Sequence, residues 1–280
     1  MNFTDEQLER YSRQIILREV GGEGQERIQR GKILIVGAGG LGAPAALYLA
    51  AAGVGTLGLV DSDKVELSNL QRQVIHFTAD VGKAKTLSAQ EKIRAINPAV
   101  KVITHQLRLS ADNIAAVIKD HDFIIDGTDN FPAKFLINDA CVLAKKPFSH
   151  AGILRFAGQA LTYLPDAACL RCVFPKPPPK GIVPTCSQAG ILGAVAGMLG
   201  SIQAAEALKF LLGKGELLVN RLLSFDALKM EFRTVEIKSN PQCPVCGKNP
   251  SIKELFDEEP PVCDLEKHLN TDGRRLEATD

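Results

Sequence analysis

Lys32–Val36 (KILIV) is a short apolar run of strand character, and Gly37-Ala38-Gly39-Gly40-Leu41-Gly42 follows it at once, opening a small-residue helix over 41–52. A strand, a G-x-G-x-x-G turn and a helix in immediate succession leave few folds open. Glycines permit the tight turn and let backbone N–H groups approach a phosphate at the positive end of a helix. Pro44 falls in the first turn of that helix, where its missing N–H is not needed. Asp61 ends the next strand-like run, 56–61 (TLGLVD), roughly 20 residues beyond the turn, where such folds set a carboxylate against ribose hydroxyls. A glycine turn also serves plain helix–strand packing; the strand before it and the acid after it favour nucleotide binding.

The surrounding pattern fits. Helical periodicity over 83–96 (stopped by Asn97-Pro98), 111–119 and 131–145 alternates with strand-like runs at 100–105, 121–126 (HDFIID) and 147–152. Alternation of this kind indicates a parallel sheet with helices on both faces and the loops after its strands along one edge. Beyond Gly152 the pattern changes: 159–164 and 217–237 read as antiparallel strands and hairpins flanking a long helix from about 188 to 212. Segment 174–185 (FPKPPPKGIVPT) holds five prolines and reads as an extended loop. The expected fold is α/β, a Rossmann-like, mostly parallel sheet continued by antiparallel strands. Residues 1–250 form one domain, with a helical arm at 1–31, a nucleotide-binding half at 32–152 and a second half at 153–250; 251–280 is a polar tail.

Composition narrows the function. With 280 residues, 45% hydrophobic, and 33 Lys+Arg against 32 Asp+Glu, the chain is ordinary globular protein. A net charge of +1 gives no footprint for nucleic acid. No apolar run reaches the roughly 18 residues of a membrane span, and residues 1–10 lack a signal-peptide stretch, so a cytoplasmic location is expected. Seven cysteines, four of them in two C-x-x-C pairs, do not make a secreted disulfide framework.

Charges gather near the glycine turn. Asp61, Ser62 and Asp63 lead into Leu67-Ser68-Asn69-Leu70-Gln71-Arg72-Gln73, and Lys85 lies on the following helix. Cations beside a triphosphate serve the charge that moves in phosphoryl or nucleotidyl transfer; hydride transfer has no such need. Asp126-Gly127-Thr128-Asp129-Asn130 ends the fourth strand on the same edge, where a carboxylate is well placed to hold Mg²⁺. Lys83 reads as a surface residue. An NAD(P)-linked oxidoreductase and a non-catalytic binding scaffold remain the competing readings.

Cys169-Leu170-Arg171-Cys172 and Cys243-Pro244-Val245-Cys246 each present two thiolates from a tight knuckle, and together they make a four-cysteine structural zinc site. Redox pairs are the alternative. Cys186 sits before the long helix, where a helix N-terminus would stabilise a thiolate. Cys141 reads as core and Cys263 as incidental to the tail.

Arg10-Tyr11-Ser12-Arg13-Gln14, GAGGLG, SNLQRQ, Gly82-Lys83-Ala84-Lys85, Gly127-Thr128-Asp129-Asn130 and the paired C-x-x-C motifs together resemble the ThiF/MoeB/HesA family, ubiquitin-activating-enzyme-like adenylyltransferases. The resemblance covers residues 1 to about 250. It implies that ATP and the C-terminal glycine of a ubiquitin-like sulfur carrier of ThiS or MoaD type give an acyl-adenylate and pyrophosphate. A thiocarboxylate for thiamine, molybdopterin or a related pathway follows. It implies that Gly37, Gly39, Gly40 and Gly42 line the phosphates and Asp61, with Asp63 beside it, holds the ribose. Ser68, Asn69, Leu70, Gln71 and Arg72 form the triphosphate loop, Lys85 joins it, Asp129 takes Mg²⁺ and Asn130 adjoins the ATP. Lys85 stands in G-K-A-K where the family more often has G-x-P-K. Arg13 would reach into a partner subunit's site, implying a homodimer, and residues 153–250 would bind the carrier. In relatives the cysteine of Thr-Cys-x-x-Ala-Gly, here Cys186, takes part in sulfur or acyl transfer in some members only. A carboxylate nucleophile is already ionised at neutral pH, so no general base is required, and His76 and His150 read as structural.

Overall fold

The computed structural model describes residues 3–179, 182 and 189–258. Two helices open the chain, α1 (Asp5–Ile15) and α2 (Gly21–Arg30). Thr4 caps α1 with its side chain while Gln7 reaches back to the Thr4 N–H, a reciprocal pair that fixes where the helix begins. Then follow β1 (Lys32–Val36), α3 (Gly42–Ala52), β2 (Thr56–Val60), α4 (Lys85–Ile96), β3 (Lys101–His105), α5 (Ile114–Ile118), β4 (Phe123–Asp126), α6 (Phe131–Leu143) and β5 (Phe148–Leu154). The second half adds β6 (Ala157–Tyr163), the short α7 (Leu170–Val173), the long α8 (Gly193–Leu212), β7 (Arg221–Asp226) and β8 (Glu231–Glu236).

All eight strands belong to one sheet, ordered β3-β2-β1-β4-β5-β6-β7-β8. Strands β1 to β5 are parallel and β5 to β8 antiparallel, as the change of pattern beyond Gly152 anticipates. The parallel strands are buried on both faces by simple alternation. Ile33 and Ile35 face a core shared with α2, α3, α4 and α8, whereas Leu34 and Val36 face one shared with α5 and α6. Chain order runs from β1 to one side through β2 and β3, then restarts on the other side at β4. The crevice beyond the carboxyl ends of β1 and β4 is therefore the topological switch point, where folds of this layout bind ligands.

Two sequence expectations need correction, and both concern α8. It starts at Gly193, not near 188, because Gly190 is left-handed (φ +77°) and Ile191 bridges to Arg155. It is also long and apolar enough, by length and composition, to cross a membrane. Here it packs on α3, β5 and α2 as a core helix, and its polar residues are used there. Buried Gln203 donates to the carbonyls of Asp126 (2.9 Å) and Ser149 (3.0 Å), and Glu206 accepts from Thr162 Oγ1 (2.6 Å).

Candidate functional site: a glycine turn at the switch point

Gly37 follows β1 with φ +92°, and a Cβ there would lie 2.7 Å from the carbonyl oxygen of Gly127, which follows β4. The two strand ends thus touch backbone to backbone, which no larger residue permits. A Cβ at Gly42 would fall 1.8 Å from Gly37 O, so that glycine seats the first turn of α3 against the strand. Gly39 and Gly40 are different. A Cβ at Gly39 would meet nothing nearer than Gln73 Nε2 at 3.5 Å, and one at Gly40 would meet Ala196 Cβ at 3.3 Å and Arg72 Cδ at 3.6 Å. Among the described residues their N–H groups find no acceptor. Open donors at a helix N-terminus are the feature that suits an anion.

Around this turn the structure gathers most of the residues the motifs single out. Asp61 accepts the Ala38 N–H on Oδ2 and the Asp63 N–H on Oδ1, both at 2.8 Å. Burial pushes its carboxyl up from the ordinary value, against the pull of the nearby Lys85 ammonium and those two N–H groups. Lys85 is buried (6% exposed) and holds the outward Asp63 carboxylate at 2.9 Å. Half-buried Arg72 lies along Gly40 and donates to Ser68 O (3.0 Å). The loop carrying it is clamped by α8, since a Cβ at Gly193 would meet Gln71 O at 2.3 Å. Asn69 is buried and closes its own turn by accepting the Glu66 N–H (3.2 Å), while Ser68 and Gln71 are exposed and Leu70 is half-buried. Lys83 pairs with Glu91 at the surface, as expected for a solvated residue.

Beyond β4, Asp129 and Asn130 are exposed at the crevice, and Asn130 Oδ1 also caps α6 by accepting the Ala133 N–H (3.0 Å). Beneath them lies a network that motif reading missed. Fully buried Asp126 accepts from Thr128 N (3.1 Å), Thr128 Oγ1 (2.6 Å), Lys134 Nζ (3.1 Å) and His150 Nδ1 (2.8 Å). Burial alone would raise its carboxyl, but the Lys134 ammonium and the His150 and Thr128 hydrogen bonds hold it well below the usual carboxylate range. Lys134 reaches on to Ala151 O (2.6 Å), tying β4 to β5 behind the crevice. The available signal was a lysine set among apolar residues on a buried helix (FPAKFLI). Gln73 of the SNLQRQ run is buried beside Gly39, and among the described residues its Oε1 has no hydrogen-bond partner.

Arg13 is not brought to this turn. It is exposed on α1, whose neighbours Tyr11 and Gln14 pack at the far end of α3, near Gly53 and Ala52. The 11 residues of α3 put about 16 Å of helix between that end and the glycine turn. Cys186 and Cys263 lie outside the described residues.

The four knuckle cysteines do converge. Their Sγ atoms all lie within 4.8 Å of one another, with separations of 3.4, 3.5, 3.6 and 4.0 Å among the closer pairs. Four thiolates around a tetrahedral ion with bonds of about 2.3 Å would stand roughly 3.8 Å apart, so the set fits one metal ion better than two dithiol pairs. Arg171, inside the first knuckle, forks onto Asp139 of α6 with two bonds of 2.7 Å and reaches Glu258 at 2.9 Å. Cys141 is fully buried in the core, and burial pushes its thiol far up.

A doubly wound sheet with a glycine turn and paired cations at its switch point, continued by antiparallel strands and a four-cysteine cluster, defines a narrow class of α/β protein. Residues 11–245 match the ThiF family, and the chain belongs to it. It is 48% identical over 265 residues to the sulfur carrier protein adenylyltransferase of Thermus thermophilus, covering 92% of this chain and 98% of that one. It is 50% identical over 242 residues to the SAMP-activating enzyme E1 of Haloferax volcanii, covering 86% and 90%. Against the probable adenylyltransferase/sulfurtransferase MoeZ of Mycobacterium tuberculosis identity is 48% over 259 residues, but this chain spans only 64% of that protein's length. Among solved structures, E. coli MccB with ATP superposes with a TM-score of 0.74 at 25% identity, covering 85% of this chain and 74% of that one.

Proposed function

We propose that this protein adenylylates the C-terminal glycine carboxylate of a ubiquitin-like sulfur-carrier protein. One carboxylate oxygen attacks the α-phosphorus of ATP, the bond to the bridging oxygen breaks, and pyrophosphate leaves with that electron pair. No proton moves, so the reaction needs no general base. The observation that carries the reading is the arrangement of open Gly39 and Gly40 N–H groups, Arg72 and Lys85 around one crevice, with the Asp61 carboxylate at its rim. Names among the relatives, sulfur carrier protein adenylyltransferase and SAMP-activating enzyme E1, support it.

In this reading the glycine turn and Arg72 take the phosphates and Asp61 the ribose hydroxyls. Lys85 exchanges Asp63 for a phosphate oxygen when nucleotide arrives. Mg²⁺ on Asp129 would offset the repulsion between two anionic reactants. Positioning does much of the remaining work, because carboxylate and triphosphate react only when aligned. The four cysteines hold zinc, which supplies folding free energy and no chemistry here. Thiamine, molybdopterin or a related sulfur pathway takes the product.

The protein acts as a homodimer in which Arg13 serves the partner's crevice, consistent with its distance from its own. An apolar groove lined by Leu47, Tyr48, Val74, Met198, Ile202 and Phe232 adjoins the Arg72 loop and α8, and a second copy covers it. Residues 153–250 face the carrier. The test is ATP–pyrophosphate exchange with carriers ending in Gly-Gly, read alongside mass detection of the carrier adenylate. Exchange is expected only with carrier present; nicotinamide binding without ATP uptake would overturn the reading.

A further inference from the structure

Ala38 is held by both of its backbone polar groups, which belong to the two successive peptides on either side of its Cα. Ala38 N–H is taken by Asp61. Ala38 C=O is taken by His76, whose Nε2 lies 3.0 Å away and whose Nδ1 lies 2.8 Å from Ser88 Oγ on α4. His76 is 4% exposed and Ser88 fully buried. A carbonyl only accepts, so Nε2 carries the hydrogen, and in the neutral ring Nδ1 accepts from the Ser88 hydroxyl. Burial lowers the tendency of this imidazole to protonate, and the Lys85 and Lys92 ammonium groups add to that against the opposing Asp80 carboxylate and the Ala38 hydrogen bond. One tautomer is thereby fixed.

A trans peptide sets its C=O and the following N–H on opposite sides. Drawing Ala38 O toward His76 therefore turns the Gly39 N–H away from His76, where no acceptor among the described residues meets it. Gly39 does not enforce this orientation itself, because a residue without Cβ accepts either hand of φ at little cost. An outside tie is needed, and the buried His76–Ser88 pair provides it. We infer that His76 is a positioning residue that keeps the Gly39 N–H aimed at the phosphate chain of the bound nucleotide. The inference rests on the nucleotide reading of the crevice.

The test compares ATP with adenosine, which has no phosphate, by calorimetry on the full chain and its variants. For His76→Ala the ATP Kd is expected to rise at least about tenfold and the adenosine Kd to stay within about twofold. His76→Gln, whose amide Nε2 replaces the ring donor, is expected to recover most of the loss. Ser88→Ala, which frees the tautomer without emptying the pocket, is expected to move ATP alone and by less. Should His76→Ala not fold, the other two variants carry the comparison. Equal weakening of both ligands, or unchanged ATP affinity, or a folded His76→Gln that binds ATP no better than the alanine variant, would overturn the inference. Wild-type protein that takes up neither ligand would overturn the nucleotide reading, and this inference with it.

Discussion

Asp126 ends β4 and Asp129 lies three positions on in the loop that follows, and the two differ in burial and in partners. Asp129 is exposed and has no bonded partner among the described residues, so Asp129→Ala is expected to leave the melting temperature within a degree or two. Carrier-dependent exchange should nonetheless fall by at least about a hundredfold, the usual scale when a group that stabilises transferred charge is removed. Retained exchange would count against the assignment. Asp126 is buried with two cationic or potentially cationic partners and Thr128. Asp126→Asn is expected to cost roughly 3–5 kcal/mol at neutral pH, because Lys134 keeps a buried charge without its counter-ion. The Asp126 carboxyl is held below its ordinary 3.8, so its stabilisation is complete above that value and drains away as the pH falls through the lower folded value. Urea unfolding at pH 7 and near pH 3 should therefore show the gap between wild type and Asp126→Asn narrowing in acid.

At the level of elements, the parallel half was legible because its strands are short runs centred on apolar residues and β1 to β4 are each followed by a helix before the next strand. The glycine turn and the acid after β2 mark the switch point with backbone requirements that only those residues meet. The start of α8 was not legible, since small apolar residues continue upstream and nothing in them announces a left-handed Gly190. Its hydropathy was also misleading. Gln203, Glu206 and Lys209 interrupt the apolar run, yet the first two are buried and bonded to the sheet or the segment before β7. Side-chain networks were the least legible layer, because periodicity says which face of α6 Lys134 lies on but not which oxygen its nitrogen reaches, and His76 lies outside any regular element. The cysteine knuckles were the most legible. They pin the segment after β6 to the one after β8, and Arg171 extends that clamp to α6. Elemental analysis is expected to find one zinc per chain. Cys243→Ser should lose it and lower the melting temperature by about 10 °C or more, as removal of several kcal/mol from a domain of this size implies.

At the scale of the whole molecule, the arrangement of α1 decides how many chains make one site. Arg13 stands at the opposite end of α3 from its own glycine turn, so within a single chain it has no route to the nucleotide. If instead it completes the site of a second copy, Arg13→Ala and Asp129→Ala proteins are each inactive, yet complementary. A mixed dimer then contains one crevice with both lesions and one with neither. Random exchange makes about half the dimers mixed, and one of the two sites in each is intact, so the blend should recover about a quarter of wild-type exchange. Two inactive variants that act within their own chains would recover none. Light scattering at about twice the 30.2 kDa chain mass, lost on Tyr48→Glu in the apolar groove, should accompany the result. That substitution is expected to remove exchange along with the dimer while leaving the binding of adenosine in place, because the proposed ribose partner, Asp61, lies in the same chain as the glycine turn.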